Sequence, residues 1–269
     1  MRIESGVNTG DPDLDLARHL AALGSAIALD HLRRGVQVER KPDGSPVTAA
    51  DREVELRLRE VLAEQRPEDA ILGEEFGALG NGARRWIIDP IDGTSNFVAG
   101  RPFWGTHVAL ERDGEIVLGV ITRPAHGSSW WASRELGAFR NDASKASGQR
   151  KLQVSSRNQL EACRVTAWTH HDHPVVEPIK RSTAWIEPNL DALLRLAEGD
   201  IDAVVVCDGK PWDHAPAVVI VEAAGGSFSD PRGGRRIDLE EAIYTNGHIH
   251  EPVLRLHEAS LRTRRDAGR

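Results

Sequence analysis

Hydrophobic and polar positions divide the chain into a helical opening, a strand-rich middle and a mixed last third. From Asp13 to Arg34 the residues Leu14, Ala17, Leu20, Ala21, Ile27 and Ala28 recur at helical spacing, and Gly35 supplies a stop. Asp43, Gly44 and Pro46 then make a turn, and Thr48 caps a second helix whose Val54, Leu58, Val61 and Leu62 face a core. Glu53 with Arg57 and Glu55 with Arg59 are expected on its wet side as i,i+4 pairs. After Pro67 come short apolar runs separated by turns, AIL, RWII, HVAL, IVLGVI, SSWWAS, LQVSS and CRVTAW, which predict strands. From Leu190 the pattern mixes: LDALLRLAEG reads as a helix closed by Gly199, AVVVC as a buried strand and HAPAVVIVEAAGG as a helix ended by glycines. Strand, helix and strand in that order predict an α/β second half. The two expected halves, residues 1–145 and 146–269, meet in the NDASKASGQ loop around residues 141–149.

A chain of 269 residues, 40% of them hydrophobic, buries a substantial core and is neither disordered nor fibrous. The net charge of −7 argues against a nucleic-acid or anionic-membrane surface, though a small anionic substrate still binds through metals or a local basic patch. Cys163 and Cys207 lack the spacing of a zinc site or a redox pair and read as reduced thiols of a cytoplasmic protein. The first dozen residues, MRIESGVNTGDP, do not have the form of a secretory signal, and no apolar stretch is long enough to span a bilayer. A soluble, unexported protein is expected. The arginine-rich end, LRTRRDAGR, reads as a solvated tail.

The candidate chemistry begins at Trp86–Phe97, WIIDPIDGTSNF. Trp86, Ile87 and Ile88 read as the end of a buried strand, and Pro90 cannot continue a central ladder, so the strand is expected to stop where the acids begin. Asp92-Gly93 is a turn signal, and Thr94 or Ser95 caps a short helix after it. Two acids thus sit beside open backbone N–H groups. More acids recur at element ends: Glu74 and Glu75 in LGEEF, Asp213 in WDHA and Asp51 in the first turn of the second helix. Any one of them alone is explained as a solvated loop, a cap or a helix-dipole charge.

Taken in order, KPDGSPVTAAD, GEEFG, WIIDPIDGTSNF, WDHAPA and EAAGG resemble the inositol monophosphatase family, the magnesium-dependent, lithium-sensitive phosphatases that include inositol-phosphate and bacterial histidinol-phosphate phosphatases. The resemblance runs through nearly the whole chain. It implies an α/β fold of alternating αβαβα layers. The first half would hold an antiparallel sheet and most metal ligands, and the second an α/β sheet, the specificity wall and Asp213. It also implies that Glu74, Asp89 and the carbonyl of Ile91 bind one Mg²⁺, that Asp89 bridges to a second held by Asp92 and Asp213, and that a third weaker ion has room near Glu74. The residue types agree independently, since hard oxygen donors without sulfur or imidazole suit Mg²⁺, and two such ions hold the attacking and leaving oxygens of an in-line displacement.

By the same resemblance the N–H groups of Gly93, Thr94 and Ser95 hold the phosphate, and the catalytic set is Asp51, Glu74 and Thr94. Thr94 aligns a metal-activated water, with Asp51 hydrogen-bonded nearby, for direct attack on phosphorus without a phosphoenzyme. His214 reads as a packing residue or one supporting the site from behind, the His170-His171-Asp172-His173 segment as a polar loop ahead of a transition-metal site, and Trp104, Trp130 and Trp131 as core or pocket wall ahead of a stacking platform. A homodimer acting on a small phosphorylated substrate is expected from the resemblance.

The choice of ester is less legible. GRPFWGTHVAL and SSWWAS look most like the histidinol-phosphatase branch. Where the family places a substrate-binding glutamate seven residues before the WD aspartate, this chain has Val206, with Asp208 the acid close by. Trp185, Glu187 and Asn189 are expected along the pocket wall. Histidinol phosphate, an inositol phosphate and a sugar or aminocyclitol phosphate of a specialised pathway stay open as substrates. Lys180, Arg181, Arg164 and Lys210 would together accept a second anionic group, although scattered surface charge explains them more simply. A nucleotide phosphatase of the 3′-phosphoadenosine type and a catalytically silent binding protein are the remaining alternatives.

Overall fold

The computed structural model describes residues 9–42, 44–142, 148–169 and 172–267, with side chains as far as Leu261. Helix α1 (Pro12–Arg34) starts at Asp11, whose carboxylate accepts the Asp13 and Leu14 N–H groups at 2.9 and 3.1 Å, and it ends at Gly35. Strands β1 (Val38–Arg40) and β2 (Pro46–Thr48) form a small ribbon that leads into α2 (Ala49–Gln65). There follow β3 (Ala70–Gly73), β4 (Gly77–Leu79), β5 (Arg84–Asp92) and the short α3 (Thr94–Val98). Four strands come next in sequence, β6 (Gly105–Arg112), β7 (Glu115–Arg123), β8 (Ser128–Ser133) and β9 (Gly137–Asp142), and then β10 (Gln149–Lys151). The last part of the chain runs β11 (Arg164–Trp168), α4 (Val176–Ser182), β12 (Ala184–Trp185), α5 (Ala192–Ala197), β13 (Ala203–Val206), α6 (Pro211–Ala223), β14 (Ser227–Ser229), β15 (Ala242–Thr245) and α7 (His250–Ala267).

An eight-stranded sheet in the order β10-β9-β8-β7-β6-β5-β3-β4 is antiparallel except where β3 lies parallel to β5. A five-stranded sheet, β12-β11-β13-β15-β14, is parallel through β13 and antiparallel beyond it. Helices α1 and α2 cover one face of the large sheet, α5 and α6 fill the space between the sheets, and α4 and α7 close the outer face. The alternation of side chains along each strand explains why uninterrupted apolar runs were needed. In β5, Trp86 and Ile88 enter the core under α1 and α2 while Ile87 enters the central core. In β13, Val204 and Val206 face the central core and Ala203 and Val205 the outer one. Buried on both faces, such strands cannot show a polar–apolar alternation.

Several expectations from the sequence need correction. LQVSS is no strand; the pairing segment is β10, just before it, and Leu152 packs in the core from a loop. Glu55 does not decorate a wet helix face but is fully buried. The arginine-rich end continues α7 through Ala267. The short strands β9, β12, β14 and β15, held by their sheet partners, and the seven-residue α4, packed on β11 and α7, carry no signal long enough to predict them. Residues 143–147 of the expected boundary loop, and His170 and His171, lie outside the described residues.

Candidate active site

Strand β5 does not end at the acids. It pairs with β6 through Asp89↔His107, then resumes at Asp92↔Gly105, so Pro90 and Ile91 oppose the single residue Thr106. This is a β-bulge, and Pro90 suits it because it has no N–H to donate; its carbonyl instead accepts the Thr106 hydroxyl at 3.0 Å. The extra residue re-aims the strand and brings Asp89 and Asp92 toward one place. Gly93 then turns the chain with φ 79° as the N-cap of α3. A Cβ there would lie 2.7 Å from Leu190 Cδ2 and 2.8 Å from the Phe103 carbonyl, so a larger residue is excluded by space as well as by φ. The Gly93 carbonyl accepts the N–H groups of Asn96 and Phe97, which leaves the N–H groups of Thr94 and Ser95 at the open helix start.

Asp51 reaches this turn from α2. Its Oδ2 accepts the Thr48 N–H at 2.8 Å and the Thr48 hydroxyl at 2.6 Å, while Thr48 Oγ1 caps the Ala50 N–H. That reciprocal cap fixes the carboxylate and leaves Oδ1 to face Thr94 Oγ1 at 3.1 Å. Thr94 Oγ1 also lies 3.1 Å from the Ile91 carbonyl. Burial pushes the Asp51 carboxyl up, and the Thr48 hydrogen bonds oppose the shift.

Glu74 is placed by a residue that sequence reasoning put on the surface. Glu55 accepts the backbone N–H of Glu75 at 2.7 Å and of Phe76 at 3.2 Å, and pairs with Arg59. It passes so close to β3 that a Cβ on Gly73 would lie 2.0 Å from Glu55 Oε1. The first glycine of GEEFG is therefore required by the buried carboxylate beneath it. Lys41 completes the loop with 2.7 Å contacts to both Glu74 and Glu75, and these partners raise its pKa against the effect of burial.

On the other side of the bulge, Asp92 Oδ2 lies 3.2 Å from His107 Nε2 and 3.2 Å from the Arg123 guanidinium. Burial pushes the Asp92 carboxyl up, but His107 and Arg123 outweigh it and hold the pKa below the usual range. Arg123 is itself buried and reaches Asp191 at 2.7 Å, just before α5. Asp213 enters from the first turn of α6, where its Oδ2 accepts the Lys210 N–H at 2.7 Å. His214 lies 2.9 Å through Nδ1 from the Tyr244 hydroxyl while also lining the cleft beside Asp213, and burial lowers its pKa to about 4. It is buried and held by Tyr244.

Asp89 carries the strain of this arrangement. It is buried, its Oδ1 has no hydrogen-bond partner, and burial together with the charges of Glu74, Asp92 and Asp213 pushes its pKa well above the carboxylate range. Asp213 is pushed up to about 8 by burial and by Asp92, and Glu74 is raised by burial despite Lys41. Crowded carboxylates, with Asp89 Oδ1 left unpartnered among them, fit divalent cations, which would remove the repulsion. An imidazole also stands beside these carboxylates: single ligand atoms of Asp89, Asp92 and His107 all lie within 4.8 Å of one another.

A cleft opens beside these acids, lined by Asp92, Arg123, Asn189 and Asp213 and walled by apolar side chains such as Val206 and Trp168. Of the expected wall residues only Asn189 lines it. Trp185 donates through Nε1 to Glu187 at 3.0 Å away from the cleft, and Asp208 is absent from its lining. The four basic residues do not converge. Lys180 sits 4.9 Å over the Trp185 ring, Arg181 pairs with Glu177, Arg164 with Asp200 and Lys210 with Glu240. The tryptophans are packing residues: Trp104 meets Phe97 edge-on at 4.8 Å and Trp131 stacks on Phe139 at 4.5 Å. Glu55, Lys41, His107, Arg123 and Asp191 escaped the sequence reading because each is brought in by pairing or packing between distant segments.

The layered fold and its carboxylate-crowded bulge are those of a metal-dependent phosphatase. The chain belongs to the inositol monophosphatase family, whose sequence profile matches residues 11–268. It is 34% identical over 257 residues to a histidinol-phosphatase of Streptomyces coelicolor, covering 90% of this chain and 95% of that protein. A Streptomyces griseus protein named glucose-1-phosphate thymidylyltransferase is 44% identical over 238 residues, covering 87% of this chain and 92% of that protein. Among solved structures, the extragenic suppressor protein suhB of Bartonella henselae superposes with a TM-score of 0.80 at 29% identity, over 92% of this chain and 98% of that one. The chain is thus a phosphatase of a family that is magnesium-dependent in general. Among the described residues no helix is long and apolar enough to cross a membrane.

Proposed function

We propose that this phosphatase hydrolyses the phosphomonoester of a small amino alcohol or polyol, of the histidinol-phosphate type, by direct attack of water. The observation that carries the reading is the Thr94–Asp51 hydrogen bond at 3.1 Å, held beside the Asp89–Asp92 bulge. Asp51 accepts the Thr94 proton, which leaves a Thr94 lone pair to accept a hydrogen bond from the attacking water and aim it. The N–H groups of Gly93, Thr94 and Ser95 hold phosphate oxygens at the start of α3. Glu74, Asp89 and the Ile91 carbonyl would hold one Mg²⁺, Asp89, Asp92 and Asp213 a second, with a third near Glu74. When bound, Mg²⁺ supplies activation of the water and stabilisation of the charge on the leaving oxygen.

The leaving alcohol occupies the cleft beside Asp92 and Asp213. Val206 and its apolar neighbours support an alcohol with a flat or apolar part, as in histidinol, over a fully hydroxylated ring. A sugar phosphate is the second reading, favoured by the 44% identity to a relative whose name gives glucose 1-phosphate as its substrate. Phosphate release from histidinol phosphate, inositol 1-phosphate, glucose 1-phosphate and an aminocyclitol phosphate, each with and without Mg²⁺, tests both. A single magnesium-dependent substrate other than histidinol phosphate replaces the first reading. No turnover on any of them removes this whole substrate class.

A further inference from the structure

Asp89 and His107 are direct cross-strand partners on β5 and β6, so their side chains leave the sheet on the same face. The bulge then swings Asp92 back toward the same imidazole, with Oδ2 3.2 Å from Nε2. His107 is buried, and its Nδ1 has no hydrogen-bond partner. Two carboxylates and an imidazole nitrogen therefore converge with ligand atoms within 4.8 Å, close to the roughly 3 to 4.2 Å between atoms that share one ion at about 2.1 Å. Asp89 Oδ1, buried and without a partner, is a second sign that the place is built for a cation.

Resting on the reading of this site as a metal centre, we propose that His107 Nε2 is a ligand of the ion shared by Asp89 and Asp92, and that this nitrogen biases the centre toward Mn²⁺ and similar transition ions over Mg²⁺. Imidazole is a good ligand for transition ions, whereas Mg²⁺ selects oxygen. Arg123 is the group that must yield. Its NH1 lies 3.4 Å from His107 Nε2 and its NH2 3.2 Å from Asp92, the longest of its contacts. It stays anchored by Asp191 at 2.7 Å and the Thr122 carbonyl at 3.0 Å, so a small rotation frees the imidazole lone pair without losing the guanidinium's place. Glu74, Asp89, Asp92, Asp191 and Asp213 outnumber Arg123 and Lys41, the cations paired with them. An ion there is not expelled by Arg123.

The test is pulsed EPR of the Mn²⁺-loaded full chain, with titration calorimetry of Mn²⁺ and Mg²⁺ on the wild type and on His107→Ala. The expected result is a ¹⁴N coupling of a directly bound imidazole in the wild type, lost in the variant, and a preference for Mn²⁺ over Mg²⁺ reduced about tenfold. Mn²⁺ bound with oxygen ligands alone in the wild type, or a coupling that persists in His107→Ala, overturns the proposal while leaving the metal centre standing. Absence of any tight Mn²⁺ or Mg²⁺ binding overturns the metal reading itself. If His107→Ala fails to fold, His107→Gln takes its place as the variant that must lose the coupling, and an oxygen-only wild-type spectrum overturns the proposal in either case.

Discussion

Glu55 Oε2 accepts the backbone N–H of Glu75 at 2.7 Å from inside the protein, so a buried carboxylate of α2 sets the position of the loop that carries Glu74. Replacing Glu55 with Ala leaves two backbone N–H groups and Arg59 without their acceptor. The expected outcome is a loss of about 3 kcal/mol in stability and a rise in the Mg²⁺ concentration needed for half-maximal activity. Denaturant unfolding and a Mg²⁺ titration of turnover check the two effects separately. Unchanged Mg²⁺ dependence in a destabilised variant would mean that Glu74 finds its place without Glu55.

Thr94→Ala removes the hydroxyl that Asp51 orients. Its kcat is expected to fall roughly a hundredfold with little change in KM, because the lost contact acts on the water and not on the bound ester. Thr94→Ser should recover most of the loss. Steady-state kinetics of both variants make the check, and an effect confined to KM would reassign Thr94 to substrate binding.

Asp213 links metal binding to pH. Its folded pKa of about 8 lies above the ordinary value of 3.8, so in the metal-free protein its protonated form is the one that folding favours. The contribution to stability is fully present below about 4 and is lost as pH rises through about 8. In EDTA the Tm of the wild type should fall relative to that of Asp213→Asn across this window, and Mg²⁺ should abolish the difference. Parallel Tm curves for the two proteins in EDTA would show that Asp213 is not strained in the metal-free state.

Val206→Glu places a carboxylate in the apolar wall of the cleft. The ratio of kcat/KM for inositol 1-phosphate to that for histidinol phosphate is expected to rise about tenfold or more, since a hydrogen-bonding group discriminates between hydroxyl-rich and apolar alcohols. Competition assays with both esters measure the ratio directly. An unchanged ratio in a folded variant would place the alcohol away from Val206.

Sequence by itself determined the first two helices, the identity of the long central strands and the family, because these rest on local signals: helical spacing under α1, the Thr48 cap, and the ordered motifs from KPDGSPVTAAD to EAAGG. It also singled out Asp51, Asp89, Asp92, Thr94 and Asp213, whose side chains the fold gathers around one bulge. Tertiary structure alone decided that β5 passes through Pro90, since a bulge is defined by the strand opposite, and Thr106 lies sixteen residues away. It alone decided that Glu55 is buried, because a glutamate four residues before an arginine looks the same on a wet face as over a glycine that makes room for it. The wall of the cleft was decided in the same way, by residues such as Arg123 and Val206 that are far apart along the chain. Local patterns report what each segment can form. Which side chains meet across two sheets depends on register and layer packing, and no single segment encodes either.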